Sequence, residues 1–401
     1  MLDPRIVFLN QGSYGACPRA VFDARVRYLE ASEAEPIDFL MHEAWGLLDR
    51  SREKLSALVN APAADMVFVP NVTVAFATIM SNLKLEPGDE VLANTHEYPA
   101  CLAILERAAA AVGAKVVKPE LPFPVGSEDE IVERLVEHVS ARTRYCLVSH
   151  VTSPSAMILP VGRIVAEMKS RGVETIVDGA HGPGFCEVDI EGIGPAFYIA
   201  NCHKWLCSPR ASGFMFVRAD LQDGFRPLAL SVFTEGGREG RSYFHTEFDY
   251  VGTSDQSAAA CIADAIEVVP GFIDGDWAAV RARNHNEIVY GRKVICDRIG
   301  VEAPVPESML GSMATIPLPE HDPGRALALA ARPTRYFDAL QDRLLGLYSI
   351  QVPIWPVARG EGVAPKRFVR ISCHLYNSSE QFVYLAEALA EELARERELE
   401  I

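Results

Sequence analysis

The chain has 401 residues, 49% of them hydrophobic, which is enough apolar material for a sizeable core and length enough for two packed domains. Lys and Arg number 38 against 54 Asp and Glu, a formal net charge of −16 at pH 7 that disfavours nucleic acid or an anionic membrane surface as a partner, so any anion site must be local. No stretch approaches the roughly 20 apolar residues of a membrane span, and the opening "MLDPRIVFLNQGSYGACPRAV" lacks a basic segment followed by an apolar one, so a cytoplasmic protein is expected.

From residue 65 to about 218, short β-rich runs alternate with helix-like segments. In order they read "DMVFV" then "TVAFATIMSNL", "EVLANT" then "ACLAILERAAAAV", "RYCLVSHV" then "GRIVAEMKSRG", and finally "ETIVDGA", "AFYIAN" and "GFMFV". Nearly continuous apolar strands separated by helices predict a largely parallel sheet covered on both faces, an α/β domain. The stretch "RPLALSVFTEGGREGRSYFHTEFDY", residues 226–250, reads as the longest loop. Beyond about 270 helices dominate, with strands at "SMATIPL" and "RFVRISC" and a charged helix from about Ser379 to Glu400. The expected division is a large domain over 20–270 and a smaller α+β domain made of 1–19 and 271–401. Nine cysteines form no CxxC pair and ten histidines no HExxH, so reduced core thiols and no metal site are expected.

Ligands of open α/β sheets bind beyond the carboxyl ends of the strands. After "VFVP" stand Asn71, Val72 and Thr73, opening a helix whose free amides and dipole suit a phosphate, although an ordinary N-cap would use the same residues. After "VLANT" come His96, Glu97 and Tyr98; after "CLVSHV" come Thr152 and Ser153; after "ETIV" come Asp178 and His181. Asp178 ends an apolar strand, where a carboxylate is costly to desolvate without a positive partner. Lys204, in "ANCHKWLCSP", is the complementary oddity, one ammonium in a small and apolar run. A surface lysine and a capping aspartate would account for each separately. A single group needing both would be pyridoxal 5′-phosphate, with its aldehyde on the lysine and its ring nitrogen on the aspartate.

The run "VDGAHGPGFCEVDIEGIGPAFYIANCHKWLCSPRASGFMFV", residues 177–217, resembles the cofactor-lysine region of class V, fold-type I pyridoxal-phosphate enzymes. Agreement extends to "FLNQGSYGACPRAV", "HEYPA", "SHVTSPSAMILPV", "GTSDQSA" and "VRISCHLYNS", and the whole is most similar to the isopenicillin N epimerase-like branch, which also contains carbon–sulfur lyases acting on cysteine conjugates. The resemblance implies that Lys204 forms the internal aldimine, that Asp178 holds the pyridine nitrogen, and that His181 contacts the ring face or phenolic oxygen. It implies Tyr98 stacked on the ring, with Val72, Thr73, Thr152 and His203 completing the cofactor site. Asn10, Ser13 and Arg370 are implied at the substrate, Arg370 as the bidentate carboxylate clamp. Thr253, in "GTSD", matches a residue that reaches a neighbouring subunit's phosphate, so a homodimer with shared sites is expected. "PRASG", with Arg210 and Ser212, and Gln256 in "GTSDQSA" depart from the family pattern. Arg210, Arg238 and Arg241 receive no role.

The implied reaction is epimerisation at the α-carbon of an amino acid or conjugate, through the Lys204 aldimine and a quinonoid carbanion. A carbon–sulfur lyase and a class V aminotransferase are alternatives, and a silent regulator retaining the fold is the non-enzyme one. Cysteine desulfurase chemistry is disfavoured, because such enzymes carry a nucleophilic cysteine shortly before the clamping arginine and no cysteine stands between Cys296 and Cys373.

Overall fold

The computed structural model describes residues 1–357 and 365–399. Twelve strands occur among them: β1 Val7–Phe8, β2 Met66–Val69, β3 Glu90–Leu92, β4 Lys115–Val117, β5 Thr143–Ser149, β6 Glu174–Asp178, β7 Phe197–Asn201, β8 Gly213–Val217, β9 Met313–Pro317, β10 Ile350–Gln351, β11 Ile354–Val357 and β12 Lys366–Ser372. Seven of them form the central sheet, in the order β2-β8-β7-β6-β5-β3-β4. All its pairings are parallel except those that β8 makes with β7 and β2. The expected α/β fold with a mostly parallel sheet is therefore present.

Alternate residues of each strand enter different cores. Tyr198, Ala200, Phe214 and Phe216 join the cluster on one face, whereas Phe197, Ile199, Met215 and Val217 join that on the other. A strand whose two faces are both covered has no polar side to show, which is why these segments read as unbroken apolar runs. The helix Val161–Ser170 supplies Ile164, Val165 and Met168 to the first face, and the helix Val72–Asn82 supplies Ala75, Phe76 and Ile79 to the second. Each fully buried large side chain of this kind contributes about 1.5–3 kcal/mol.

Two features differ from the sequence-based expectation. The edge strand β4 was not anticipated: three residues, "KVV", are too few to show a period. Within the presumed loop 226–250 lies a helix, Tyr243–Asp249, capped by the Ser242 hydroxyl on the His245 N–H.

The smaller, C-terminal part carries the antiparallel sheet β11-β12-β9, packed beside the long helices Trp277–Ile299 and Ser379–Glu398. Gly291 admits the Phe382 ring there, since a Cβ at that position would lie 2.5 Å from it. The N-terminal strand β1 pairs with β10 in parallel, Val7 opposite Ile350, so the first residues of the chain are held by the C-terminal part. The chain then runs as a strap, Asn10 to Gly15, towards the carboxyl ends of the central strands. Because β8 is antiparallel to both its neighbours, β2 ends on the same edge as β7, and Asn71 to Thr73 arrive beside Asn201 to Lys204.

Candidate active site

An open pocket lies at that edge, lined by residues at the ends of β2, β3, β5, β6 and β7 and by Ser13 and Tyr14 of the strap. Lys204, Asp178, His181, His203, Thr73 and Tyr98 all face it. These six sequence-predicted residues thus converge from four strand ends, those of β2, β3, β6 and β7, as the ligand rule for open sheets requires.

Lys204 stands three residues beyond β7 on a loop held from several directions. The Gln11 side-chain amide donates to the Lys204 carbonyl at 2.7 Å, and the Tyr376 hydroxyl holds the other end of Gln11 at 2.7 Å. His374 Nε2 is 3.1 Å from the Trp205 carbonyl. The strap presses so closely that a Cβ on Gly15, at φ +71°, would lie 1.8 Å from the His203 carbonyl oxygen. Lys204 Nζ lies 3.0 Å from His181 Nε2. Burial pushes its pKa down from 10.5 to about 8; the Asp178 carboxylate opposes that shift and Arg370 reinforces it.

Asp178 is the last residue of β6 and is 3% exposed. Its Oδ1 accepts the Ala180 N–H at 2.9 Å and its Oδ2 the Cys101 S–H at 3.5 Å. Burial raises its pKa, while the Ala180 N–H and the Lys204 ammonium favour the ionised form. A second buried carboxyl, Glu97, accepts the Ser149 N–H at 3.0 Å and contacts the Ser149 hydroxyl and the Asn94 amide, with no cation among these partners. Burial first, and the Asp178 charge further, push it to about 8, so Glu97 is largely protonated at neutral pH. Cys101 and Glu97 were not assigned roles from sequence. The usable signal was that both sit in "HEYPAC", four residues apart around Tyr98.

The remaining candidates divide. Asn71 caps its helix through the Val74 N–H at 3.0 Å, and the Val72 N–H is taken by Asn201 Oδ1 at 3.1 Å. The Thr73 N–H is left as the first-turn amide without a partner among the described residues. His203 uses Nδ1 on the Ser212 carbonyl at 3.2 Å, and burial lowers its pKa to about 4. Thr152 does not line the pocket: its hydroxyl is buried against Ser155 Oγ and the Met157 N–H, while its neighbour Ser153 faces the opening. Arg370, on β12, is 1% exposed and reaches two pocket residues, donating from Nη1 to the Ser153 carbonyl at 2.6 Å and from Nη2 to the Ser13 hydroxyl at 3.3 Å. Its Nε–H is buried without an acceptor, and Trp355 lies 5.3 Å from the guanidinium carbon. Asn10 accepts the Ser13 hydroxyl at 2.6 Å and does not itself line the pocket.

Thr253 does not line this pocket and is exposed, as are Ser254 and Asp255 after it. Gln256 follows and donates to the Asp249 carbonyl at 2.8 Å, and Asp249 is held by Arg52 and Arg241. Arg238 and Arg241 flank the Trp45 ring, and Arg210 donates to the Gly15 carbonyl at 3.2 Å.

A mostly parallel sheet with a partly neutral lysine, a buried aspartate and a histidine at its carboxyl edge defines an enzyme of the pyridoxal-phosphate class. The aminotransferase class-V family model matches residues 7–385, and the chain belongs to that family. It is 32% identical to an isopenicillin N epimerase of Amycolatopsis lactamdurans over 97% of this chain and 96% of that one. It is 29% identical to putative L-cysteine desulfhydrase 1 of Oryza sativa subsp. japonica, over 95% and 82% respectively. Among solved structures, the cystine C–S lyase C-DES with its product cysteine persulfide superposes with a TM-score of 0.79 at 19% identity, over 97% and 98% of the two chains. A C-DES mutant with glycine covalently linked to its PLP cofactor gives 0.80 at 18%, over 97% of each. The cofactor of this protein is pyridoxal 5′-phosphate.

Proposed function

We propose that the protein acts at the α-carbon of an amino acid or amino-acid conjugate, epimerising it as the isopenicillin N epimerases do. The observation that carries the reading is Lys204 Nζ in one pocket with Asp178 and His181, its pKa lowered to about 8. The residues fit the cofactor. Lys204 offers an amine for the aldehyde, Asp178 an anion for the ring nitrogen, Tyr98 a ring face, and Thr73 with His203 the phosphate end beside a helix N-terminus. When bound, the cofactor supplies an aldehyde for the substrate amine and an electron sink for negative charge at the α-carbon. Arg370, hydrogen-bonded to the pocket residues Ser153 and Ser13 and with a buried Nε–H that has no acceptor, is the residue to hold the substrate carboxylate. Asp178 would keep the ring nitrogen protonated, Lys204 would take the α-proton from one face with His181 steadying it, and epimerisation follows only when a proton is delivered to the opposite face.

Carbon–sulfur lysis of a cysteine conjugate is the second reading, favoured by the desulfhydrase relatives. Persulfide chemistry is not supported: Cys373 is fully buried, and burial raises its thiol to about 12. The exposed segment bearing Thr253 is proposed to complete a partner subunit's site in a homodimer, and the protein to work in the cytoplasm. The division at 20–270 is proposed as the boundary between the cofactor-binding and smaller domains. Incubation in deuterated water tests the reaction. Epimerisation washes deuterium into the α position of recovered substrate and product with the skeleton intact, whereas a lyase releases pyruvate and ammonia from a cysteine conjugate. Stoichiometric conversion of a keto acid to its amino acid, with neither outcome, would make it an aminotransferase.

A further inference from the structure

We infer that Trp205 is a positioning residue that fixes the tautomer of His181, so that a histidine N–H, rather than a lone pair, is presented to Lys204. The inference comes from the donor and acceptor inventory. An indole nitrogen can only donate, and Trp205 Nε1 lies 3.1 Å from His181 Nδ1, so Nδ1 is the acceptor and the neutral ring carries its proton on Nε2. That Nε2 lies 3.0 Å from Lys204 Nζ. An ammonium has no lone pair, so this second bond forms only when Lys204 is the free amine. The two bonds together favour an uncharged His181 and an uncharged Lys204. Protonating the lysine would set an ammonium against an N–H, and turning the histidine proton to Nδ1 would set it against the indole.

The indole is placed to impose this. Trp205 is fully buried, edge-on to Phe185 at 5.0 Å and stacked on His374 at 6.3 Å between ring centres. A Cβ on Gly184 would lie 2.8 Å from the Trp205 backbone, so the chain is closely packed there. The Trp205 carbonyl is held too. His374 Nδ1 accepts the Leu375 N–H at 2.9 Å, which puts the His374 proton on Nε2, and that N–H donates to the Trp205 oxygen at 3.1 Å. The charged or titratable groups acting on His181 are Lys204, Arg370 and His203, all of which oppose its protonation, as burial does. Those acting on Lys204 are Asp178, Arg370 and Cys101. Trp205 does not itself line the pocket, and its side chain reaches the lining at His181, so its effect passes through that residue.

The inference rests on Lys204 being the reactive amine, and the test separates the two. Histidine labelled at its ring nitrogens, with His181 assigned by loss of its signals in His181→Gln, reports the tautomer directly in the cofactor-free and cofactor-loaded protein. Wild type is expected to show His181 protonated at Nε2 only, at about pH 9, where Lys204 is mostly the free amine. Trp205→Phe keeps a ring in the cavity but removes the donor. It is expected to populate the Nδ1-protonated form and to slow aldehyde capture at pH 7 at least about threefold, half a pH unit in the Lys204 midpoint. A wild-type His181 protonated at Nδ1, or at both nitrogens, overturns the inference. So does a Trp205→Phe protein with unchanged tautomer and midpoint. If Trp205→Phe does not fold, the wild-type nitrogen spectrum decides alone. Failure of Lys204 to capture pyridoxal phosphate at all would sink the proposed function instead, leaving the tautomer readable.

Discussion

An amine that condenses with an aldehyde must first lose its proton, and burial has moved that step towards neutral pH at Lys204. With its pKa lowered to about 8, roughly one Lys204 in eleven is free at pH 7, against roughly one in 3,000 for a lysine at 10.5, an advantage of about 300-fold. Asp178 works against this shift, because its carboxylate stabilises the ammonium. The sign for Asp178→Asn follows: the charged lysine loses its attraction, gives up its proton at lower pH, and the midpoint falls below 8. The gain in free amine at pH 7 is bounded at about elevenfold, where all the lysine is neutral. The assay mixes cofactor-free protein with pyridoxal phosphate across a pH series. It follows aldehyde capture by absorbance, and borohydride trapping with mass spectrometry locates the adduct. Wild type should climb with a midpoint near 8, and Asp178→Asn should reach its plateau earlier while losing most turnover, since the ring nitrogen loses its anion. A wild-type midpoint near 10.5, a midpoint moved upward by Asp178→Asn, or an adduct on another lysine would refute the reasoning.

Arg370→Lys should lower kcat/KM for amino-acid substrates by the equivalent of about 1.5–3 kcal/mol, the contribution of a charged hydrogen bond, because an ammonium lacks the planar fork that reaches Ser153 and Ser13 and still presents a donor to a carboxylate; steady-state kinetics check it, and an unchanged value places the carboxylate elsewhere. Gly15→Ala should cost on the order of 1–3 kcal/mol for its backbone alone, at φ +71° and ψ 166° where only glycine is comfortable, and more for the clash with the His203 carbonyl. Thermal unfolding and cofactor absorbance read that loss. Gly46→Ala, in a helix with open space around it, is the control and should leave stability equal or up to about 1 kcal/mol higher. Light scattering should find a dimer, and a fully active monomer would exclude sharing of the Thr253 segment.

What the sequence determined by itself was what is local and periodic. Apolar runs alternating with helical ones announced the α/β sheet, because strands buried on both faces must be apolar throughout. Lys204 and Asp178 stood out because a charge at the end of such a run is costly without a partner. Strand β4 escaped because three residues carry no period, and the helix Tyr243–Asp249 because its polar setting resembled a loop. Tertiary structure decided which polar atoms meet. Thr152 turned inward while Ser153 faced the pocket, a choice made by Ser155 and the Met157 N–H. The protonation of Glu97, the thiol on Asp178 and the grip of Gln11 and Tyr376 on the Lys204 loop join residues up to hundreds of positions apart. Desolvation and hydrogen-bond direction are properties of the assembled site, because each depends on which groups exclude water from the others. A side chain's type is written in the sequence, whereas its proton is placed by its neighbours in space.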